Sequence, residues 1–374
     1  MGKILSIIIP TKNRQKYCLA AVKQIVSLKN KDIEICIQDN SDDNLLQEQI
    51  EQLCCSDIVY NYHSGVLSFV DNFSEAVSLA SGEYLCMIGD DDGILPNITT
   101  ECQYMKDKGL DAYIPGLNAI YYWPSPNPIE ENQRKGYLII NGTRTKKKSV
   151  DPLMVLNDLL KKGALNYYTF DMPRLYHGIV KRDVLETIKM QAGNYFKGLT
   201  PDIYMAVALS FVCKKVERSD YPVTISGICP TSGSADSATG RHTGELKNAP
   251  HFRGHDSYEW DNLVPAFYSV ETIWAETLIK AIKDFQSDKL IETLNLPLLY
   301  SVCENKYPQF SYLIKEFAQK NKIQVLTPKA ENKFLKKLVV FSGHIRHRLL
   351  YGKSYRFTDV YDIEKACEII SKYI

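Results

Sequence analysis

The sequence has little of what marks the specialised classes of protein. Its ten cysteines, at 18, 36, 54, 55, 86, 102, 213, 229, 303 and 367, form no Cys-x-x-Cys pair. Several sit inside apolar runs, as in Ile35-Cys36-Ile37 and Leu85-Cys86-Met87, so buried thiols in a reducing compartment are expected rather than a disulfide framework or a zinc site. No stretch approaches the roughly 20 apolar residues of a membrane span, and Pro10 cuts the first apolar run too early for a secretory leader. A cytoplasmic location is therefore expected, where the Asn-x-Ser/Thr sequons at Asn72, Asn97 and Asn141 carry no meaning. The balance of 45 basic against 44 acidic residues leaves +1, which excludes an overall field that would gather nucleic acid. No Gly-x-Gly-x-x-Gly follows a strand, so a dinucleotide oxidoreductase is excluded. Histidine is scarce, with seven residues, so each position is informative.

What is present is an alternation of strand and helix signals. Leu5 to Ile9 (LSIII) is a continuous β-branched run, the mark of a strand buried on both faces, which Pro10 is expected to end. Cys18, Val22, Ile25 and Val26 follow at helical spacing. Further strands are predicted over 33–37, 57–62 and 84–88, with helices over 45–53 and 72–80 between them. This order implies an α/β fold with an open parallel sheet covered by helices on both faces. Ligands bind such sheets outside the carboxyl ends of the strands. Three polar clusters fall at those ends: Thr11 to Arg14, Asp39 to Asp43, and Asp90 to Asp92. Any one of them could be a helix cap or a solvated turn. Together they describe one polar crevice.

Beyond residue 100 the signals thin. Trp123 to Val150, with its prolines and Lys146-Lys147-Lys148, reads as a surface loop or an insertion over the crevice, and Arg174 to Lys181 (RLYHGIVK) as a strand. Thr231 to Gly244 has the composition of a loop. After about residue 255 the pattern is mostly helical. At 374 residues the chain can hold one large domain with an appendage.

Adjacent carboxylates at a strand end suit Mg²⁺ or Mn²⁺, which take one or two carboxylate oxygens and keep other positions for phosphate and water. Such a cation stabilises charge on a departing diphosphate. Leu5 to Arg14 (LSIIIPTKNR), Ile35 to Asp43 (ICIQDNSDD), Ala80 to Leu85 (ASGEYL) and the following GDDD together resemble the opening motifs of the family 2 glycosyltransferases. The GDDDxxLP form is most similar to bacterial members that build O-antigen or capsule, including the abequosyltransferase-like branch. The resemblance is clear over residues 4–96 and looser to about 245.

The resemblance implies a GT-A fold, a Rossmann-like nucleotide-diphospho-sugar transferase sheet. It also implies an inverting, single-displacement transfer from a nucleotide-sugar donor, UDP-linked, to a glycan or lipid-linked saccharide acceptor. Pro10, Thr11, Arg14, Asp39, Asp90 and Asp91 would line the donor pocket, and Asp92 with Asp91 would hold Mn²⁺ or Mg²⁺. His242 would complete the metal shell, as a downstream histidine does in some relatives. Where many relatives begin the acidic motif with Asp, this chain has Gly89, which leaves the role of Asp90 open. Asp202, at the start of a helix announced by Pro201, matches the position of the general base. His177 reads first as a satisfied core histidine.

These readings divide the chain into a catalytic domain over 1–254, with a nucleotide half to about 115 and an acceptor half over 116–254, and a mainly helical region over 255–374. The basic amphipathic stretch 334–351 suits either packing on the catalytic domain or peripheral contact with an anionic membrane. Homo-oligomerisation is left open. Two other readings stand beside this one: a nucleotide- or glycan-binding relative without turnover, and a sugar-nucleotide pyrophosphorylase. The second lacks its Gly-Gly-x-Gly-x-Arg-Leu loop here.

Overall fold

Buried β-branched runs set the framework of the protein, whose computed structural model describes residues 2–116, 118–128, 131–142, 146–232, 242–254, 258–325 and 352–373. The first strands are β1 (Leu5–Thr11), β2 (Ile33–Asp39), β3 (Ile58–Tyr62) and β4 (Tyr84–Met87). They lie parallel in the order β3-β2-β1-β4, with Ile7 opposite both Ile35 and Cys86. Ile7, Ile8 and Ile9 are fully buried. Each such side chain contributes roughly 1.5–3 kcal/mol relative to exposure, which fixes β1 at the centre of the sheet. Helices Gln15–Ser27, Leu45–Glu51 and Phe69–Ser78 connect these strands. Ser68 caps the last of them by accepting the Asp71 N–H.

After β4 come β5 (Gly93–Ile94), β6 (Ala112–Ile114), β7 (Ala119–Tyr122), β8 (Tyr137–Asn141), β9 (Lys147–Val150), β10 (Ile179–Lys181), β11 (Val216–Ser219) and β12 (Thr224–Ile228). The large sheet continues past β4 as β10-β6-β11-β9. Here β10 runs antiparallel to both its neighbours, and β9 antiparallel to β11. The expected open sheet is therefore present but mixed rather than wholly parallel. A second sheet stacks β8-β7-β12-β5, with β15 (Ser354–Thr358) on its outer edge. Between these come β13 (Thr243–Gly244) and β14 (Tyr268–Ser269), which form a small ribbon.

Three local expectations change. Strand β1 does not stop at Pro10 but runs on to Thr11, opposite Asp39. The missing N–H is tolerated there because β4 leaves β1 after Ile8↔Met87. Residues 123–150 are not a surface loop, since Trp123, Leu138 and Ile140 are buried and the stretch supplies β8 and β9. The strand predicted over Arg174 to Lys181 shortens to Ile179–Lys181, because His177 adopts a left-handed conformation with φ 57°.

Helices Val270–Asp284, Leu296–Lys306 and Ser311–Lys320 pack in one region beside Pro201–Val212. The end of the chain returns to the first half. The Tyr121 hydroxyl donates to the Val360 carbonyl at 2.9 Å, and Ile363–Ile370 packs against Gln15–Ser27. The basic stretch 334–351 lies outside the described residues. Among the described residues no helix is long and apolar enough to cross a membrane.

Candidate active site

The three polar clusters converge at the carboxyl ends of β1, β2 and β4. Asp90, Asp91 and Asp92 form the turn leaving β4, and all three are buried. Thr11, at the end of β1, donates its hydroxyl to Asp90 Oδ2 at 2.7 Å. Arg14 follows at the entry to its helix and forks onto the same carboxylate. Nε lies 3.0 Å from Oδ2 and Nη2 2.6 Å from Oδ1. Its Nη1 stands 3.6 Å from Asp91 Oδ1, beyond hydrogen-bond length. The guanidinium thus supplies positive charge to two of three adjacent carboxylates. Burial would lower its pKa, but Asp90 and Asp91 outweigh that and raise it.

The strand end alone does not hold the turn; a second layer of donors does. Cys229 N–H donates to Asp91 Oδ2 at 2.9 Å, and the Trp123 indole donates to the Asp91 carbonyl at 2.8 Å. Asp92 is the most heavily engaged of the three. Its Oδ1 accepts from Gly227 N–H at 2.6 Å. Its Oδ2 accepts from Gly89 N–H at 2.6 Å and the Tyr176 hydroxyl at 2.9 Å, with His177 Nε2 at 3.2 Å. Burial pushes the three carboxyls up. For Asp92 the nearby His177 and the two backbone donors reverse this, holding it below the usual carboxylate range. Asp90 and Asp91 remain raised, Asp90 by burial against the pull of Arg14, and Asp91 by burial together with its neighbour Asp92.

Gly89 now has a physical reason. A Cβ there would lie 2.6 Å from the Tyr176 hydroxyl and 3.0 Å from Asp92 Oδ2. Tyr176 fills the space that a side chain at 89 would take, and it donates to the carboxylate three residues on. Gly227 is required more strictly, because a side chain there would overlap the Asp91 carbonyl. A glycine inside the β-branched run Thr224–Ile228 was the sequence signal for that close approach. Tyr176, Trp123 and Cys229 carried no such signal.

Pro10 and Asp39 lie side by side with this cluster on β1 and β2. Asp39 is fully buried, accepting from Ser41 N–H at 2.8 Å and from the Tyr60 hydroxyl at 2.8 Å. A carboxylate has about four acceptor positions, so both oxygens keep capacity for a further donor. The Asn40 side-chain amide bridges the His63 carbonyl, at 2.9 Å, and the Gly65 carbonyl, fixing the loop beside the crevice.

Asp202 sits in the first turn of helix Pro201–Val212, partly exposed. Burial pushes its carboxyl up to about 6, with His177 pulling down and Asp92 pushing up. Asp202 thus lies within electrostatic reach of the His177 ring and the Asp92 end of the acidic turn. The His177 N–H donates to the Met87 carbonyl at 2.8 Å and its Nδ1 lies 2.9 Å from Thr224 Oγ1. The core-histidine reading of His177 holds, since the ring is buried with both nitrogens partnered, and one of those partners is Asp92. His242 has ring contacts with His251 at 5.4 Å and Tyr268 at 4.9 Å. Among the described residues no group of three or more His, Cys, Asp or Glu is arranged to hold a metal ion.

Residues 6–153, which carry β1 to β4, the acidic turn and the strands that follow, match the family model described as Glycosyl transferase family 2. A curated relative, abequosyltransferase RfbV of Salmonella typhimurium, is 33% identical over 116 residues, which are 30% of this chain and 35% of RfbV. The chain therefore matches about a third of that relative's length. Two solved structures are similar over longer spans. S. aureus TarS in complex with UDP-GlcNAc matches 84% of this chain and 81% of its own, at 14% identity and a TM-score of 0.49. S. aureus TarS in complex with UDP matches 61% of each chain, at 15% identity and a TM-score of 0.42.

Proposed function

We propose that the chain is an inverting glycosyltransferase of bacterial surface-polysaccharide synthesis, moving a sugar from a nucleotide-sugar donor, UDP-linked, to a hydroxyl of a saccharide or lipid-linked acceptor. The observation that carries this reading is the 2.7 Å contact of Thr11 with Asp90, which joins the first and third sequence motifs into one charged crevice at the strand ends. Residues 1–254 do the catalytic work, with 255–374 as a mainly helical buttress, and the chain acts in the cytoplasm or on the inner face of the membrane.

In this reading the base lies against Pro10 and Asp39, where the spare acceptor capacity of Asp39 suits the imide N–H of uracil. The diphosphate lies toward Asp91 and Arg14. Asp91 Oδ1 is the oxygen best fitted to a divalent cation, because its neighbour Arg14 Nη1 stands off at 3.6 Å. Mg²⁺ or Mn²⁺ bound there with the diphosphate oxygens would supply positive charge for the leaving group. Asp92 would join as a ligand through Oδ1, which accepts only the Gly227 N–H, because Oδ2 is taken by Gly89, Tyr176 and His177, and His242 would join only by leaving its ring stack.

Asp202 is the general base. An inverting transfer needs a carboxylate that takes the acceptor proton as the hydroxyl attacks from the face opposite the leaving diphosphate. Asp202 lies within electrostatic reach of Asp92, at the acidic turn, and a value near 6 keeps it ionised at neutral pH yet more basic than an ordinary aspartate. The test is release of nucleoside diphosphate from a panel of nucleotide sugars, with and without Mn²⁺. Donor turnover above background supports the proposal. Absence of turnover and of nucleotide binding with every donor would refute it.

A further inference from the structure

Among the described residues the Arg174 guanidinium forms no ion pair, although Asp171 lies within electrostatic reach. Arg174 opens the segment that is pinned beside β4, where Met87 N–H donates to the Leu175 carbonyl at 3.0 Å and His177 N–H returns to the Met87 carbonyl. Its side chain is half-buried, and its Nε is buried with no hydrogen-bond partner among the described residues. The nearby Asp171 is already paired, with Arg218 Nε at 2.8 Å and Lys148 Nζ at 2.7 Å. A buried N–H donor without an acceptor is costly, so the half-exposed guanidinium that carries it is suited to receiving an anion.

The surroundings identify the side of the site. Tyr167 lies within electrostatic reach of both Arg174 and Asp202. Its ring meets Trp274 edge-on at 4.8 Å, and Tyr168, 55% exposed, lies 6.0 Å from the same indole. Trp274 is one helical turn before Thr277, whose Oγ1 accepts the Leu199 N–H at 3.2 Å, just ahead of the helix that carries Asp202. The exposed Tyr168 and the half-buried Tyr167 and Trp274 form an aromatic cluster that Tyr167 links electrostatically to Asp202 and Arg174, offering apolar faces for sugar rings near a fixed positive charge.

We propose that Arg174, Tyr168 and Trp274 form an acceptor subsite that binds an anionic group carried by the saccharide acceptor. This rests on the reading of the chain as a glycosyltransferase with Asp202 as its base. The shared chemistry is an oxyanion next to the accepting sugar, either a phosphate at its reducing end or the carboxylate of a uronic acid. The rings hold the sugar, and the guanidinium forks onto the anion.

The experiment titrates the full chain, saturated with UDP, with three probes: N-acetylglucosamine 1-phosphate, the methyl glycoside of N-acetylglucosamine, and methyl glucuronide. A charge-assisted pair predicts that one anionic probe binds about tenfold or more tighter than the neutral glycoside. In Arg174→Gln that preference disappears, and in Arg174→Lys part of it survives. A phosphate preference and a uronide preference distinguish the two sources. Trp274→Ala weakens all three probes while keeping the anionic preference. Equal affinities, binding of none of the probes, or a preference that survives Arg174→Gln would overturn the proposal. So would a loss of UDP affinity in Arg174→Gln as large as the loss of the anionic probe, which would assign the residue to the donor. If Arg174→Gln does not fold, the wild-type preference and Arg174→Lys decide. A wild-type chain that binds no UDP defeats the glycosyltransferase reading instead, so the two failures are distinguishable.

Discussion

Arg14 closes on Asp90 as a bidentate pair, with Nη2 2.6 Å from Oδ1 and Nε 3.0 Å from Oδ2. The carboxylate is completely buried, so the pair is the internal counter-charge that lets three aspartates sit together. Arg14→Ala would leave Asp90 buried without its cation, at a cost of roughly 3–5 kcal/mol. Denaturant unfolding should show that loss. Arg14→Lys keeps a charge but not the fork, so it should recover part of the stability while donor KM stays raised. An Arg14→Ala chain as stable as wild type would show that the pair is incidental.

His177 braces Asp92 from a left-handed backbone position, at φ 57°. Removing the ring should loosen the acidic turn, so His177→Ala is expected to lose about 10- to 100-fold in kcat/KM for the donor, the range for a residue that orients a ligand group. Asparagine tolerates left-handed backbone and offers an N–H, so His177→Asn should recover much of that activity. Steady-state kinetics on the two variants separate this bracing role from simple core packing, in which Asn would do no better than Ala.

Gly227→Ala tests the contact between β12 and the acidic turn. Its Cβ would overlap the Asp91 carbonyl, and the strand must move to relieve it. Because Gly227 N–H also donates to Asp92, the shift would break that bond too. A destabilisation of about 3 kcal/mol and loss of nucleotide binding are expected, measured by thermal melting and by UDP titration. Ordinary melting with intact UDP binding would contradict the geometry.

Asp202 gives a pH prediction. With a folded value near 6, kcat/KM should fall below about pH 6 as the base takes a proton, and Asp202→Asn should abolish turnover. The stability effect has the opposite sense. The folded pKa lies above the unfolded one, so the stability that Asp202 contributes is complete below the unfolded value and is lost as pH rises through about 6. At pH 8 Asp202→Asn should therefore be more stable than wild type, by roughly 1–2 kcal/mol after allowance for its partial exposure. Unfolding at pH 4.5 and pH 8 gives the comparison.

Much of this site was legible in the sequence because its parts are local. A β-branched run followed by polar residues announces a strand end, and three such ends in a parallel array must be neighbours. Thr11, Arg14, Asp39 and Asp90 follow from that logic. Gly227, Cys229 and Trp123 do not, because they reach the acidic turn from a second sheet whose pairing depends on contacts far apart in sequence. The strand over Arg174 to Lys181 was read too long because its apolar residues suggest extension through His177, whose left-handed backbone instead accompanies a tertiary hydrogen bond to Met87. The division of labour among the three aspartates was equally hidden. Which carboxylate is most heavily engaged and which keeps a free oxygen depends on donors more than 80 residues away in the chain, such as Tyr176 and Gly227, which reach Asp92 across 84 and 135 residues.

The most direct measurement is calorimetric titration of UDP into the wild-type chain, Asp39→Asn and Asp91→Asn, each with and without Mn²⁺. The crevice reading predicts that the wild type binds UDP and binds it more tightly with Mn²⁺. Asp91→Asn should lose that Mn²⁺-dependent gain, and Asp39→Asn should weaken binding whether or not Mn²⁺ is added. Failure of the wild type to bind UDP, or affinities unchanged in both variants, would contradict it.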